Sequence, residues 1–311
     1  MQPSIVVVGS INIDIVNQVA AHPKVGETIR SQTTTFHPGG KGANQAVAAA
    51  RAGGRVHMVG AVGGDQFGTE LKASLAEAGV ITEYVTGCAR STGMAFITVD
   101  EAGANGIIIS EGANAEVNKE QVDAVLQALY PIDAVLLQNE IPFSVTAYVI
   151  EAAHTKGIPV FLNAAPGIEV PDVLLQKIDL LITNELETQV ITGLPVTDQR
   201  SAHQATASLI ERHVRQVVIT MGEQGAMYSD RDGRQIFQPA FRVQAVDTTS
   251  AGDTFVGALA VAVCSSMEME AALAFAAMAA ALAVTKTGAQ PSIPTLREIQ
   301  EFAKGVSNAM N

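Results

Sequence analysis

The sequence predicts an α/β protein with a central, mostly parallel sheet, helices on both faces, and a small β-sheet lid. Three observations predict it. First, short apolar, β-branched runs at residues 5–11, 56–62, 134–137, 160–162, 180–183 and 216–220 alternate with helical patterns. Those patterns cover 43–52, 66–78, 119–129, 145–156, 202–213, 254–263, 271–284 and 296–304. Near-continuous apolar strands separated by helices need a sheet covered on both faces. Second, residues 27–36 and 92–110 alternate polar and apolar side chains, as in TTTF and MAFITVD. That period suits antiparallel strands with one solvated face, the second stretch being divided by the turn-rich EAGANG at 101–106. Third, no internal repeat, low-complexity tract or long linker interrupts the chain. Residues 1–311 are therefore expected to form one domain, with the lid built from about 12–40 and 92–112.

Composition narrows the partners. Of 311 residues, 48% are hydrophobic and 16% charged, which suits a substantial core. A net charge of −12 argues against a nucleic-acid or anionic-membrane surface and leaves room for one anion held locally. The opening residues MQPSIVVVGSINID lack a basic region and read as a first strand, not a signal peptide. The longest uncharged apolar runs, 254–267 and 271–285, fall short of the ~20 residues that span a bilayer. Cys88 and Cys264 form no CxxC pair, and a reducing cytoplasm is the expected location.

The polar punctuation falls at the ends of the apolar runs, where open α/β sheets bind ligands. Asn12 and Asp14 in GSINID lie two apart at the end of the first strand and share a face. They suit sugar-like hydroxyls, or else a polar turn. Residues 37–44, HPGGKGAN, make a glycine-rich turn into a helix at Ala43. Neither GxxxxGK[ST] nor GxGxxG occurs, so Lys41 and Asn44 mark either a ligand turn or a solvated helix start. Glu140 follows the strand DAVLL, and Asn184 and Glu187 follow DLLIT. Carboxylates there can bind hydroxyls or a hydrated Mg2+, or merely begin the next helix. The turn TMGEQG at 220–225 can receive a nucleotide. The irregular loop TKTGAQPS at 285–292 offers carbonyls to a cation, or a plain helix end.

Residues 246–257, VDTTSAGDTFVG, combine an apolar helix start with the small residues Ser250, Ala251 and Gly252 and the carboxylate Asp253. A helix N-terminus attracts anions, and a carboxylate beside it can take a proton from a hydroxyl. Asp is also a common N-cap, and the segment by itself leaves both roles open. The six histidines, at 22, 37, 57, 154, 203 and 213, show no metal spacing. GxSxG and HExxH are absent.

Taken together and in this order, GGKGANQAVAAARAG, the NxxE of 184–187, TMGEQG, VDTTSAGDTFVGAL and TKTGAQPS resemble the ribokinase family of carbohydrate kinases over residues 5–302. The resemblance implies an ATP-dependent sugar kinase that forms a homodimer through its lid. It makes Asp253 the base, with the backbone of Ser250, Ala251 and Gly252 as an anion hole. Asn12, Asp14, Gly40, Lys41, Gly42, Asn44 and Glu140 would bind the sugar. Asn184, Thr220, Met221, Gly222, Glu223, Gln224, Gly225, Gly252, Asp253 and Ala277 would line the ATP site. Glu187 would act on Mg2+ through water. Asp247, Thr249, Ala283, Lys286, Gly288 and Ser292 would hold K+, most of them through carbonyls. Three departures stand out. Ser250 replaces the first Gly of the common GAGD, Ala277 replaces a polar residue of some relatives, and Asn139 adjoins Glu140. The expected reaction is phosphorylation of D-ribose at its 5-hydroxyl. The alternatives are another sugar or a nucleoside as acceptor, and a non-catalytic sugar or nucleotide sensor.

Overall fold

The computed structural model describes residues 2–129 and 131–310. Its first strand, β1 (Ser4–Val8), is a run of β-branched side chains buried on both faces. The chain then leaves the central sheet. β2 (Asn12–Gln18) and β3 (Thr33–Gly39) pair antiparallel in the lid, and Gly40 turns at φ 88° into α1 (Lys41–Arg51). β4 (Arg55–Gly63), α2 (Gln66–Glu77) and β5 (Val85–Cys88) return to the main sheet. β6 (Gly93–Val99) and β7 (Asn105–Ser110) complete the lid.

Alternating units follow: α3 (Lys119–Ala128), β8 (Ala134–Leu137), α4 (Phe143–Thr155), β9 (Val160–Asn163), the short α5 (Asp172–Leu175) and β10 (Leu180–Asn184). After them come α6 (Glu185–Thr192), α7 (Gln199–Glu211), β11 (Gln216–Thr220), β12 (Gly225–Asp230) and β13 (Gln235–Pro239). The chain closes with α8 (Ala251–Cys264), α9 (Met269–Ala283) and α10 (Leu296–Met310). Among the described residues, no helix is long and apolar enough to cross a membrane.

The main sheet has nine strands in the order β13-β12-β11-β10-β9-β8-β1-β4-β5. It is parallel from β11 to β5, and β12 and β13 join antiparallel. The fold class is the expected one. One core packs α1, α8 and α9 against the sheet, with alanines such as Ala46, Ala260 and Ala276 at the contact. The other packs Val125, Val149 and Leu209 of α3, α4 and α7 against the opposite face. Small side chains let α1 and α8 approach closely. A Cβ on Gly257 would lie 2.6 Å from the Ala48 Cβ and 2.6 Å from the Gln45 carbonyl oxygen. That approach sets the beginnings of the two helices side by side.

The structure corrects several expectations. Asn12 and Asp14 do not end β1; they open β2, a separate lid strand three residues on. The lid is mixed: β2 pairs parallel with β6, while β3 and β7 are antiparallel. Residues 27–32 form no strand, because Glu27 and its neighbours are exposed and no partner strand runs beside them. β12 and β13 are additional strands, with β13 at the edge.

Candidate active site

Two helix N-termini meet at the carboxyl ends of the parallel strands. Ser250 caps α8 in the left-handed conformation at φ 64°, contributing no side-chain capping bond. Asp253 is therefore inside the first turn and does not cap the helix. The Ala251 N–H bonds the Thr248 carbonyl at 3.2 Å. Among the described residues nothing takes the N–H groups of Gly252 or Asp253. Those two amides form the open anion-attracting end of α8.

The Asp253 side chain points across to α1. Asn44 donates from Nδ2 to its Oδ2 at 3.0 Å, and Gln45 donates from Nε2 to its Oδ1 at 3.0 Å. The Asp253 carboxylate raises the Lys41 ammonium above its ordinary value, against burial, and Glu140, Glu187 and Asp14 add to the effect. Glu140 accepts from the Ser10 hydroxyl at 2.6 Å and from the Lys41 backbone N–H at 3.1 Å. Burial, with Glu140 and Asp253 nearby, pushes Asp14 up to about 7. Asn12 accepts from Asn114 Nδ2 at 2.6 Å, and Asn114 in turn accepts from the Ile11 N–H at 2.9 Å.

Asp253 lines a cavity of about 150 Å³ with Lys41, Asn163, Asn184, Glu187 and Thr220. A second cavity, of about 970 Å³, opens beside it. Its walls include Gly222, Glu223, Gln224, Gly225, Phe241 and Ala277. Asn184, Thr220 and Gly252 border both spaces. The larger cleft therefore meets a small polar chamber at an anion-attracting helix end, an arrangement that can hold a small molecule with an anionic group between them.

The sequence matches the family model of the pfkB family carbohydrate kinases over residues 2–296. The chain belongs to the pfkB family of carbohydrate kinases. Its relatives include a ribokinase of Haemophilus influenzae, 39% identical over 97% of this chain and 99% of that one. A deoxyribokinase of Salmonella typhi is 36% identical over 96% of this chain and 98% of its own length. The structure of Arabidopsis thaliana ribokinase complexed with ribose and ATP superposes with a TM-score of 0.90 at 36% identity, covering 98% of this chain and 99% of that one.

Within this pfkB kinase Asn184 and Glu187 start a helix and also face a cavity. The two form a reciprocal capping box at the start of α6 and also line the small cavity. Burial raises the Glu187 carboxyl, partly offset by the Asn184 N–H and Lys41. The loops around Asp247 and Gly288 are stitched together: Asp247 accepts from the Thr249 N–H at 2.9 Å and the Gly288 N–H at 2.8 Å. Burial opposes ionisation of Asp247, but these hydrogen bonds hold it below the usual carboxylate range. Lys286 donates its N–H to the Ala283 carbonyl and pairs its ammonium with Glu298 at 2.6 Å. Ser292 donates to the Ala289 carbonyl at 2.8 Å.

Two expected ligand contacts take other places. Met221 is buried in the core and does not line the nucleotide cleft. Gly42 is packed against Gly9 and Ser10, where a Cβ would lie 2.6 Å from the Ser10 nitrogen, so it serves the close approach of α1 to β1. Gln138, which follows the strand DAVLL with Asn139 and Glu140, joins the polar set of the site. Ser10, Gln45, Asn114 and Asn163 are polar site neighbours that sequence reasoning missed; only Asn163 carries a clear signal, a polar residue closing the apolar run VFLN.

Proposed function

We propose that this kinase phosphorylates D-ribose on its 5-hydroxyl with ATP. The observation that carries the reading is the position of Asp253, held by two amide donors beside the open N–H groups of α8, where the two cavities meet. The sugar hydroxyl oxygen attacks the γ-phosphorus as the bond from that phosphorus to the β-phosphate oxygen breaks. The hydroxyl proton passes to Asp253, and ribose 5-phosphate and ADP result. The Gly252 and Asp253 N–H groups meet the charge developing on the transferred phosphoryl group. Asn12, Asp14, Lys41, Asn44 and Glu140 form the sugar wall. The buried Asn44 Oδ1 has no partner within the described residues and suits a sugar hydroxyl donor. The names of the full-length relatives support this substrate class.

Glu187 suits Mg2+ held through water, since both its oxygens already accept from Asn184 and a hydrated ion needs only an outer carboxylate. Mg2+ would supply neutralising charge to the phosphates. The Asp247–Gly288 junction suits K+, because the Lys286 ammonium pairs with Glu298 and the Asp247 carboxylate ties the two loops together there. The lid suits a homodimer contact: Phe36, Phe96, Ile107, Ile108 and Ile109 are all exposed on it. The free Cys88 and Cys264 suit the cytoplasm.

Steady-state rates with ATP and a panel of ribose, 2-deoxyribose, other pentoses, hexoses and nucleosides test the reading. The highest kcat/KM is expected for ribose. The 36% identity to a deoxyribokinase makes 2-deoxyribose the competing acceptor, and a higher kcat/KM for it would overturn the assignment. Ligand binding with no turnover of any acceptor would establish a sensor instead.

A further inference from the structure

Three buried amides behind Asp253 have a fixed polarity. The Ile182 carbonyl can only accept, and it takes Asn163 Nδ2 at 3.1 Å. Asn163 Oδ1 therefore faces Gln45, whose Nε2 donates to it at 2.8 Å. The second hydrogen on that nitrogen goes to Asp253 Oδ1 at 3.0 Å. Gln45 Oε1 in turn accepts from Gln138 Nε2 at 2.7 Å. Flipping Gln45 would set its oxygen against both Asn163 Oδ1 and the Asp253 carboxylate, and its nitrogen against the Gln138 nitrogen. Donation runs from Gln138 to Gln45 and divides there, one branch ending on the Asp253 carboxylate and the other passing through Asn163 to the Ile182 carbonyl.

Gln45 and Gln138 are fully buried, and Asn163 nearly so. They come from three elements that end or begin at this point: α1, the end of β8, and β9. Nothing about folding α1 requires a glutamine here; the residues that follow it, Ala46, Val47, Ala48 and Ala49, are apolar and buried. An apolar residue would pack with less desolvation unless the amide served a partner.

We propose that Gln45 is a positioning residue for Asp253, fixing the carboxylate plane so that its remaining lone pairs face the cleft. The inference rests on the reading of Asp253 as the base. Toward Asp253, Gln45 can only donate, because Gln138 occupies its oxygen and Asn163 Oδ1 takes the other hydrogen of its nitrogen.

The test uses the full-length protein with ribose, ATP and Mg2+, comparing wild type with Gln45→Met, Gln45→Glu, Gln138→Met and Asp253→Asn. For Gln45→Met, kcat is expected to fall about 10- to 100-fold with both KM values within about threefold, the pattern of a lost transition-state contribution. Gln45→Glu can donate to Asp253 only when its carboxyl is protonated. Its kcat relative to Gln45→Met is therefore expected to rise as pH falls from about 8 to about 6. Gln138→Met, which leaves the Gln45 donor in place but unbraced, is expected to lower kcat about two- to tenfold with KM unchanged. Wild-type kcat in Gln45→Met, a changed KM at constant kcat, or a pH-independent ratio between the two Gln45 variants would overturn the proposal. Should Gln45→Met not fold, Gln138→Met decides, and wild-type kcat there overturns it. Asp253→Asn separates the two levels. Turnover retained in that variant removes the base itself, whereas its loss alongside unaffected Gln45 and Gln138 variants removes only the positioning role.

Discussion

Gly257 of α8 faces Ala48 of α1 with no room for a methyl group, since a Cβ there would lie 2.6 Å from the Ala48 Cβ and 2.8 Å from the Ala49 nitrogen. This contact lies one turn beyond Asp253, on the helix that carries it. Gly257→Ala is expected to force the helices apart, costing about 1–3 kcal/mol of stability, as overpacking does. Because the shift carries Asp253 away from Asn44 and Gln45, kcat should fall with it. Thermal unfolding and steady-state kinetics on one preparation check both effects.

Ser250 occupies a left-handed backbone conformation at φ 64°, with its buried hydroxyl unpartnered among the described residues. An L-residue there carries a cost of roughly 1–2 kcal/mol that glycine escapes, partly offset by glycine's freer unfolded chain. Ser250→Gly is expected to raise Tm slightly and leave kcat within about twofold, the backbone donors being unchanged. Ser250→Val, β-branched at positive φ, should lower Tm clearly. Scanning calorimetry of the two variants provides the comparison.

Asp14 gives a pH signature. Its carboxyl ionises at about 7 in the folded protein against 3.8 ordinarily, because it is buried beside Glu140 and Asp253. Between those values the folded state holds a proton that the unfolded chain has lost. Stability from this group is thus full below about pH 4 and is lost as pH rises through about 7. Asp14→Asn should be more stable relative to wild type at pH 8 than at pH 4, by thermal melts across pH. In wild type, sugar hydroxyls donating to the ionised carboxylate should make ribose binding release protons near neutrality. Calorimetric titration in buffers of different ionisation enthalpy measures that release.

Asp247 clamps two loops through one carboxylate, accepting from Thr249 and Gly288. An amide in its place can accept on one side only. Asp247→Asn is expected to raise the K+ concentration for half-maximal activity by about tenfold, the equivalent of roughly one lost hydrogen bond. Titration of activity with K+ at constant ionic strength reads this directly.

The main sheet was legible because its parallel strands are continuous apolar runs, and Lys41, Asn44 and Asp253 because small residues and glycines surround them at helix starts. Four features were not. Asn12 and Asp14 follow β1 so closely that the change of sheet leaves no mark in the hydrophobic pattern; only pairing with β3 and β6 reveals it. β12 and β13 are short runs in which Gly225, Ser229, Asp230 and two glutamines break up the apolar pattern, so antiparallel pairing onto β11 is what reveals them. The start of α8 at Ala251 rests on tertiary contact, because Thr248, Thr249 and Ser250 have little helical preference of their own. Gln45 was hidden for the opposite reason: it stands in a convincing helical run, and its partners Gln138 and Asn163 are distant in sequence.

β2 has a consequence for turnover. It belongs to the lid, yet it carries Asn12 and Asp14, while Lys41, Asn44 and Asp253 stay with the main body. Any outward swing of the lid would carry Asn12 and Asp14 away from Lys41, Asn44 and Asp253. On the proposed reading, opening the chamber and dismantling part of its recognition surface would be a single mechanical event, and a phosphorylated sugar would be let go by the same displacement that exposes it to water.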